Sequence, residues 1–105
     1  MNYRALIAPV VLAASVALTG IAASAAYSGQ QYAHQAKVTI NQARAIALKA
    51  VPGGKIVDQE LEQEAGGTGL RYSFDVKIHG KTHEVGVDAK SGKVLENAVE
   101  GANPD

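Results

Sequence analysis

The sequence predicts an α+β domain in which one helix packs on one face of a small antiparallel sheet, in the order αββββ. One stretch has apolar residues at helical spacing, the stretch after it alternates apolar and polar residues with a period of two, and Gly-containing turns separate the alternating runs. The chain has 105 residues, no Cys and a formal net charge of zero. This composition fits one small domain and argues against a nucleic-acid partner held by phosphate neutralisation.

A secretory signal peptide is predicted for residues 1–25. Arg4 supplies a positive charge before an uncharged apolar stretch, and Ala23-Ser24-Ala25 has the A-x-A pattern of a cleavage site. The mature chain is therefore expected to begin near Ala26 and to be periplasmic or secreted. The alternative is a membrane anchor that is not cleaved, because the apolar residues 5–26 are numerous enough to span a bilayer.

Three further segments are predicted in the mature chain. Residues 26–36 show neither helical nor strand periodicity and are expected to form a linker or a disordered N-terminus. The domain proper covers residues 37–99, and residues 100–105 are expected to be a frayed tail. The helix is predicted from Ile40 to Val51, because Thr39 and Gln42 fit a capping box at its start and Pro52 follows its end.

Four strands are predicted after the helix. The first covers residues 55–64, with Val57 and Leu61 on one side. The second has the most regular alternation, and its inward side chains are Leu70, Tyr72, Phe74, Val76 and Ile78. In the short last strand, Val94 is expected to point inward.

A hairpin is predicted between the second and third strands. Gly80-Lys81 fits a type II′ turn, which has Gly at its first central position. This turn places His79 opposite Thr82 and Lys77 opposite Glu84. The predicted register pairs apolar residues on one face and opposite charges on the other, so both faces support it.

The stretch "GVDAKSGKV" at residues 86–94 is similar to a phosphate-binding loop but lacks its chemistry. Five residues separate Gly86 from Gly92 where four are needed, and Val94 occupies the position of the hydroxyl that binds Mg²⁺. A calcium loop is also excluded, because Lys90 occupies the second ligand position after Asp88. We therefore predict a tight turn in which Gly92 has positive φ and Asp88 bonds the backbone two residues on.

Few side chains are suited to catalysis or metal binding. The histidines are His34, His79 and His83, and the predicted hairpin places the last two on opposite faces, whereas zinc needs three or four convergent ligands. There is no Cys, and no Ser has a nearby base or a strand-to-helix elbow. The sequence thus predicts no catalytic residue, no metal ligand, no cofactor and no enzyme activity.

Four carboxylates, Asp58, Glu60, Glu62 and Glu64, recur with a period of two and are therefore expected on one face of the first strand. One interpretation is a solvated edge strand whose charges prevent sheet-to-sheet aggregation. The other is an anionic strip that selects a basic partner. The exposed face of the hairpin adds four candidate contact residues, which are Arg71, Asp75, Lys77 and Glu84.

Residues 37–97 resemble the PepSY domain family. The resemblance depends on an ordered combination: Ala50-Val51-Pro52-Gly53 after a capped helix, the Tyr-containing strand "LRYSFDV", and Asp88-Ala89 followed by Gly92-Lys93-Val94. Ser91 stands where the family usually has Thr. The resemblance implies an exported module with a role in inhibiting or regulating peptidases, and it supplies no catalytic residue.

Two functional hypotheses follow. The first is a non-catalytic exported binding module that docks on a protein partner, such as a peptidase of the cell envelope, by strand addition at residues 55–64 or by covering a cleft. The second is a sensor of a small ligand or metal ion that uses His83, Tyr72 and the four carboxylates. No membrane contact is expected after signal cleavage, and a dimer through an exposed sheet edge remains open.

Overall fold

The computed structural model describes residues 26–101, so the predicted signal peptide and residues 102–105 lie outside the described part of the chain. The four strands form one antiparallel sheet in which each strand pairs with the next one along the chain. This arrangement confirms the predicted α+β class and the order αββββ. Between residues 26 and 101, no helix is long and apolar enough to cross a membrane. The elements are a 3₁₀ helix (Gln30–Gln35), α1 (Ile40–Ala50), β1 (Lys55–Gln63), β2 (Leu70–Ile78), β3 (Lys81–Asp88) and β4 (Val94–Val99).

Helix α1 begins where the sequence predicts. The Thr39 hydroxyl accepts a hydrogen bond from the Gln42 backbone N–H (3.1 Å), and the Gln42 side chain accepts one from the Thr39 N–H (2.9 Å). This capping box satisfies two backbone donors at the start of the helix. Ala43, Ala47 and Val51 are buried against the sheet, which confirms the predicted apolar stripe.

The hydrophobic core lies between α1 and one face of the sheet, as the alternation in β2 predicts. Tyr72 is central to it, because its ring lies 6.3 Å from the Phe74 ring and 6.4 Å from the Tyr27 ring. Its hydroxyl donates to the Val38 carbonyl at 2.7 Å. The buried apolar residues of the sheet and its turns are Leu61, Leu70, Tyr72, Phe74, Val76, Val85, Val87 and Ala89.

The β2–β3 register differs from the predicted one by two positions. His79 and Gly80 both have positive φ (51° and 74°), as in a type I′ turn, so the predicted type II′ turn at Gly80-Lys81 is wrong. Val76 consequently lies opposite His83. A shift of two residues leaves every side chain on its predicted face, because the side-chain period of a strand is two.

Two β-bulges decide which residues of the edge strands point inward. The β1–β2 pairing shifts between Ile56 and Asp58, and Val57 is 52% exposed whereas Leu61 is buried, so the prediction that Val57 and Leu61 share one side is wrong. A second shift occurs in the β3–β4 pairing, and Val94, predicted to point inward, is 44% exposed. A bulge adds one residue to a strand and thereby interrupts the period-two pattern. Leu61 lies beyond the first bulge and faces the core.

The segment before α1 is an ordered part of the domain, so the prediction of a linker or a disordered N-terminus is wrong. Ser28 forms a parallel bridge with Glu60, and its carbonyl accepts a hydrogen bond from the Leu61 N–H at 2.8 Å. Gly29 lies so close that a Cβ added there would be 1.8 Å from the Leu61 oxygen. These partners are about 30 residues apart in the sequence, and local periodicity does not report such contacts.

Asp88 is a fully buried carboxylate (0% exposed) that holds two turns together. Its Oδ1 accepts hydrogen bonds from the Lys90 N–H (2.8 Å), the Ser91 N–H (2.9 Å) and the Thr68 hydroxyl (2.8 Å), and its Oδ2 accepts one from the Thr68 N–H (2.7 Å). The Lys90 bond confirms the predicted role of Asp88 in its own turn, and φ 81° confirms the positive φ predicted for Gly92. Burial alone would raise the pKa of Asp88, but these hydrogen bonds outweigh burial and hold that pKa well below its ordinary range.

We expect Asp88→Asn to lower the free energy of unfolding by about 3 kcal/mol at pH 7, because an amide cannot accept from all four donors. The folded-state pKa of Asp88 lies below the unfolded value of about 3.9, so the ionised carboxylate stabilises the fold above that pH and loses this effect as the pH falls further. The deficit of the variant, measured by urea unfolding, should therefore shrink between pH 7 and pH 2. A deficit that stays constant over this range would contradict the prediction.

We expect Gly29→Ala to release the N-terminal segment from β1, because Gly29 has φ 89° and no space for a Cβ. The free energy of unfolding should fall by roughly 1–3 kcal/mol, and the Leu61 amide should exchange its hydrogen faster. Gly69→Ala is the matched control, since Gly69 has φ 93° but no atom within 4 Å of an added Cβ. Equal losses in both variants would show that the close packing at Gly29 does not matter.

Candidate functional site

The sheet carries α1 on one face only, and we call the opposite side of β1 to β4 the outer face. Side chains that alternate with the core residues project to it. Every acidic residue between positions 26 and 101 lies at or after Asp58, in the sheet, in its connections or directly after β4, whereas α1 carries only basic charges. The acidic residues of the outer face are Asp58, Glu60, Glu62, Asp75, Glu84 and Glu96.

Three of these carboxylates form a row straight across the sheet. The β1–β2 pairing places Asp58 opposite Asp75, and the β2–β3 pairing places Asp75 opposite Glu84. The predicted register had Lys77 opposite Glu84, so this row could not be foreseen and the predicted Lys77–Glu84 pairing is wrong. Like charges that stand directly opposite one another destabilise a sheet.

The pKa values on the outer face reflect both desolvation and this crowding of carboxylates. Desolvation, followed by neighbouring carboxylates, raises the pKa of Asp75 and also that of Glu84. The pKa of Glu60 is raised first by its hydrogen bond with Glu62 and then by desolvation. The outer face is therefore negatively charged, and several of its carboxyl groups have higher pKa values than they would have in water.

Glu62 differs from its neighbours on β1. Its Oε2 accepts a hydrogen bond from the Ser73 hydroxyl at 2.6 Å. Desolvation would raise the pKa of Glu62, but hydrogen bonds from Ser73 and the neighbouring carboxyl groups, together with the charge of Arg71, lower it. Glu62 is thus a fixed negative charge within the strip.

Arg71 projects to the outer face near the start of β2 and is buried, so its predicted exposure as a contact residue is wrong. The side chain is held by a hydrogen bond from Nη2 to the Ala65 carbonyl (3.1 Å) and an ion pair between Nη1 and Glu96 (3.5 Å). Gly86 makes this position possible, since a Cβ there would lie 3.1 Å from Nη1. Arg71 is 8% exposed and offers little surface to a partner.

The structure brings most of the predicted contact residues together. All eight candidates except Glu64 lie on the outer face of a strand, and Glu64 follows directly after β1. Glu96 and Glu100 were not predicted, although the charge of Glu100 raises the pKa of both Asp75 and Glu84. The alternation in β4 is too short, and too disturbed by its bulge, to indicate them.

The residues proposed for a metal or ligand sensor do not meet. His83 lies opposite Val76 in the core-facing register, with its Nδ1 3.2 Å from Asn97 Oδ1. Tyr72 is buried, and desolvation followed by the charge of Tyr27 raises its pKa to about 12. The carboxylates lie on the other face. Among residues 26–101, no group of three or more His, Asp or Glu side chains is placed to hold a metal ion.

The chain was also compared with known proteins. A family model described as "Peptidase propeptide and YPEB domain" matches residues 37–97, which include α1, β1, β2 and β3. No curated protein and no solved structure matches the chain. Members of this family are generally propeptide or regulatory modules rather than catalysts, and they typically occur in exported proteins. Because the matched residues make up more than half of the chain and include the capped helix, the Tyr-containing strand and the Asp88 turn, this chain belongs to the PepSY family.

Proposed function

We propose that this chain is a non-catalytic binding module that docks on a peptidase of the cell envelope and regulates it. The observation that carries the proposal is the row Asp58, Asp75 and Glu84 on a sheet face that no helix between residues 26 and 101 covers. Repulsion within the row costs stability in the free protein. A partner with a basic surface would relieve that repulsion, so the outer face suits such a partner better than it suits solvent.

The peptidase and its compartment are the more specific part of the proposal. Membership of the PepSY family supports a peptidase as the partner. The predicted signal peptide at residues 1–25 supports a periplasmic or secreted location. In this proposal the chain acts by occupying or covering a surface of the partner, and no covalent step is involved.

The absence of catalysis is likewise part of the proposal. His34, His79 and His83 lie on three different elements, namely the 3₁₀ helix, the β2–β3 turn and β3. His34 Nδ1 is 3.1 Å from the Gln31 carbonyl, within its own 3₁₀ helix. General acid–base catalysis needs an acid, a base and a reacting atom within hydrogen-bond distance of one another, and these separated groups do not favour it.

Charge-matched variants test the binding face. The double variant Glu60→Gln with Glu84→Gln removes two negative charges from the outer face, and Asn41→Lys with Ala45→Lys changes the net charge equally on the exposed side of α1. We expect the first variant to bind a partner captured from envelope extract about two- to thirtyfold more weakly, since exposed charge pairs contribute roughly 0.2–1 kcal/mol each and two pairs are lost. The second should bind like the wild type.

Both binding and peptidase activity should be measured with the captured partner, at two salt concentrations. Weaker binding at higher salt is expected, because exposed charges are screened. Equal binding of wild type and both variants would contradict a role for the outer face. Capture of partners that include no peptidase would contradict the regulatory part of the proposal.

We expect Asp75→Asn to raise the free energy of unfolding and to weaken partner binding. The folded-state pKa of Asp75 is raised, so its ionised form destabilises the fold at neutral pH and this penalty disappears as the pH falls through the folded-state pKa. We expect the variant to be more stable than the wild type by about 0.5 kcal/mol at pH 7 and equally stable at pH 2, while binding its partner more weakly. Glu64→Gln, beyond the end of β1, is the control; a loss of stability in Asp75→Asn at pH 7 would contradict the prediction.

A further inference from the structure

The two edges of the sheet are not equivalent. The centre of the β1 edge is occupied, because the Leu61 N–H already donates to the Ser28 carbonyl and Gly29 lies against the same peptide group. Strand β4 forms the other edge. Within residues 26–101, no backbone hydrogen bond reaches the open side of β4, which is the side that points away from β3. An additional strand therefore finds free backbone groups at β4 and not at the centre of β1.

The free groups of β4 can be assigned from its pairing with β3. In an antiparallel pair, backbone N–H and C=O groups point alternately toward the partner strand and away from it. The Glu100 N–H donates to a β3 carbonyl at 2.7 Å, so Ala98 and Glu96 also face β3. Asn97 and Val99 then direct their N–H and C=O groups to the open side. These two residues can form the hydrogen bonds of one further strand.

The Asn97 side chain links the edge strand β4 to α1 and to β3. Its Nδ2 donates to the Ala50 carbonyl at the end of α1 (3.4 Å), and its Oδ1 lies 3.2 Å from His83 Nδ1 on β3. Strand β4 is thus tied both to the helix and to its neighbouring strand. A partner strand would meet a backbone that is already extended, which reduces the entropy lost on binding.

The part of the outer face next to β4 is acidic. Glu96 projects from β4 onto the outer face, Glu84 lies opposite Ala98 on the adjacent strand, and Glu100 follows directly after β4. Edge strands that avoid pairing commonly carry Lys or Pro, but β4 contains neither. The side chains of Asn97 and Val99 lie on the opposite face of β4, which is the face that carries α1. In an added strand, the side chains on the outer face would lie beside carboxylates, and the side chains on the α1 face would lie beside uncharged groups.

We propose that β4 is an acceptor edge to which the partner adds an extended segment that alternates basic and uncharged residues. The basic side chains meet Glu96, Glu84 and Glu100, while the uncharged ones lie beside Val99. This inference rests on the proposed function and specifies the chemistry of the partner. The sequence predicted strand addition at residues 55–64, whereas the structure favours residues 94–99. A second copy of the chain does not fit, because its own β4 carries Glu96 and no basic residue.

A peptide of alternating Lys and Val, six residues long and blocked at both ends, is the probe for a direct test. The purified protein is titrated with it while the backbone amides are followed by NMR. We expect the largest shifts at Asn97 and Val99, together with at least tenfold slower hydrogen exchange of both amides, because each would donate to the peptide. Shifts that concentrate at Gln59, Leu61 and Gln63 on the β1 edge would overturn the inference.

Two control peptides separate backbone pairing from charge. The first carries N-methyl groups at alternate positions, which removes the donors of one edge of the peptide and leaves its charge intact. The second replaces each Lys by Glu. We expect both to bind at least tenfold more weakly than the probe, the first because strand pairing is lost and the second because carboxylates then face carboxylates.

A variant of β4 adds a second test. The Val99 N–H points to the open side, so Val99→Pro removes a donor needed by the peptide without removing a hydrogen bond to β3. Gln63→Pro is the matched control, because the Gln63 N–H points away from β2 at the opposite edge, as the Leu61 N–H does. We expect at least tenfold weaker peptide binding for Val99→Pro and no change for Gln63→Pro. If Val99→Pro fails to fold, the NMR shifts and the N-methylated peptide still decide the question.

The outcomes distinguish this inference from the proposed function. Equal binding of the N-methylated peptide, with shifts at Ser73 and Gly86 on the outer face, would overturn strand addition and leave a basic partner on that face intact. Failure of all the peptides to bind at millimolar concentration, together with binding of a captured peptidase that is unaffected by Val99→Pro, would overturn the inference alone. Failure of both peptide and peptidase binding would overturn both.

Discussion

The two-residue turn at His79 and Gly80 sets the register of β2 and β3, and the rest of the domain depends on that register. On the inner face it stacks the apolar side chains of both strands beneath α1. On the outer face the same register aligns Asp58, Asp75 and Glu84 in one row. A slip of two positions would keep the core face apolar but would bring Lys77 opposite Glu84 and remove part of the repulsion. Core formation alone therefore does not account for the charge pattern.

Ionised carboxylates affect the stability of this domain in two opposite ways. Asp88 is buried and surrounded by four donors, so its ionisation stabilises the packing of two turns against each other. On the outer face, carboxylates face one another across three strands, and their ionisation opposes folding. Arg71 offsets a part of this repulsion by pairing with Glu96. A small domain without disulfides has little stability to spare, so a role in binding gives a physical reason for the row to persist.

The N-terminal segment and β4 make the sheet asymmetric. Ser28 and Gly29 cover the centre of β1, while Asn97 links β4 to the end of α1 and the free backbone groups of β4 point away from β3. The acidic outer face is continuous with this open edge through Glu84 and Glu96. A basic extended segment could thus use both surfaces together, with hydrogen bonds at the edge and charge pairs across the face. Members of the PepSY family are generally propeptide or regulatory modules, and membership of this family agrees with such a docking role.

The sequence by itself determined the fold class, the capping box at Thr39, the inward side chains of β2, the role of Asp88 in its turn and the family, because each of these depends on local periodicity or on short motifs. Only the tertiary structure decided the register, the two bulges, the burial of Arg71 and the place of the N-terminal segment. A shift by two residues preserves every face, so hydrophobic alternation cannot detect it. A bulge moves Val57 and Val94 outward through the geometry of the neighbouring strand, and Ser28 meets Glu60 only once the sheet exists. These contacts join residues distant in the sequence, and they decide which edge is covered and which carboxylates face one another.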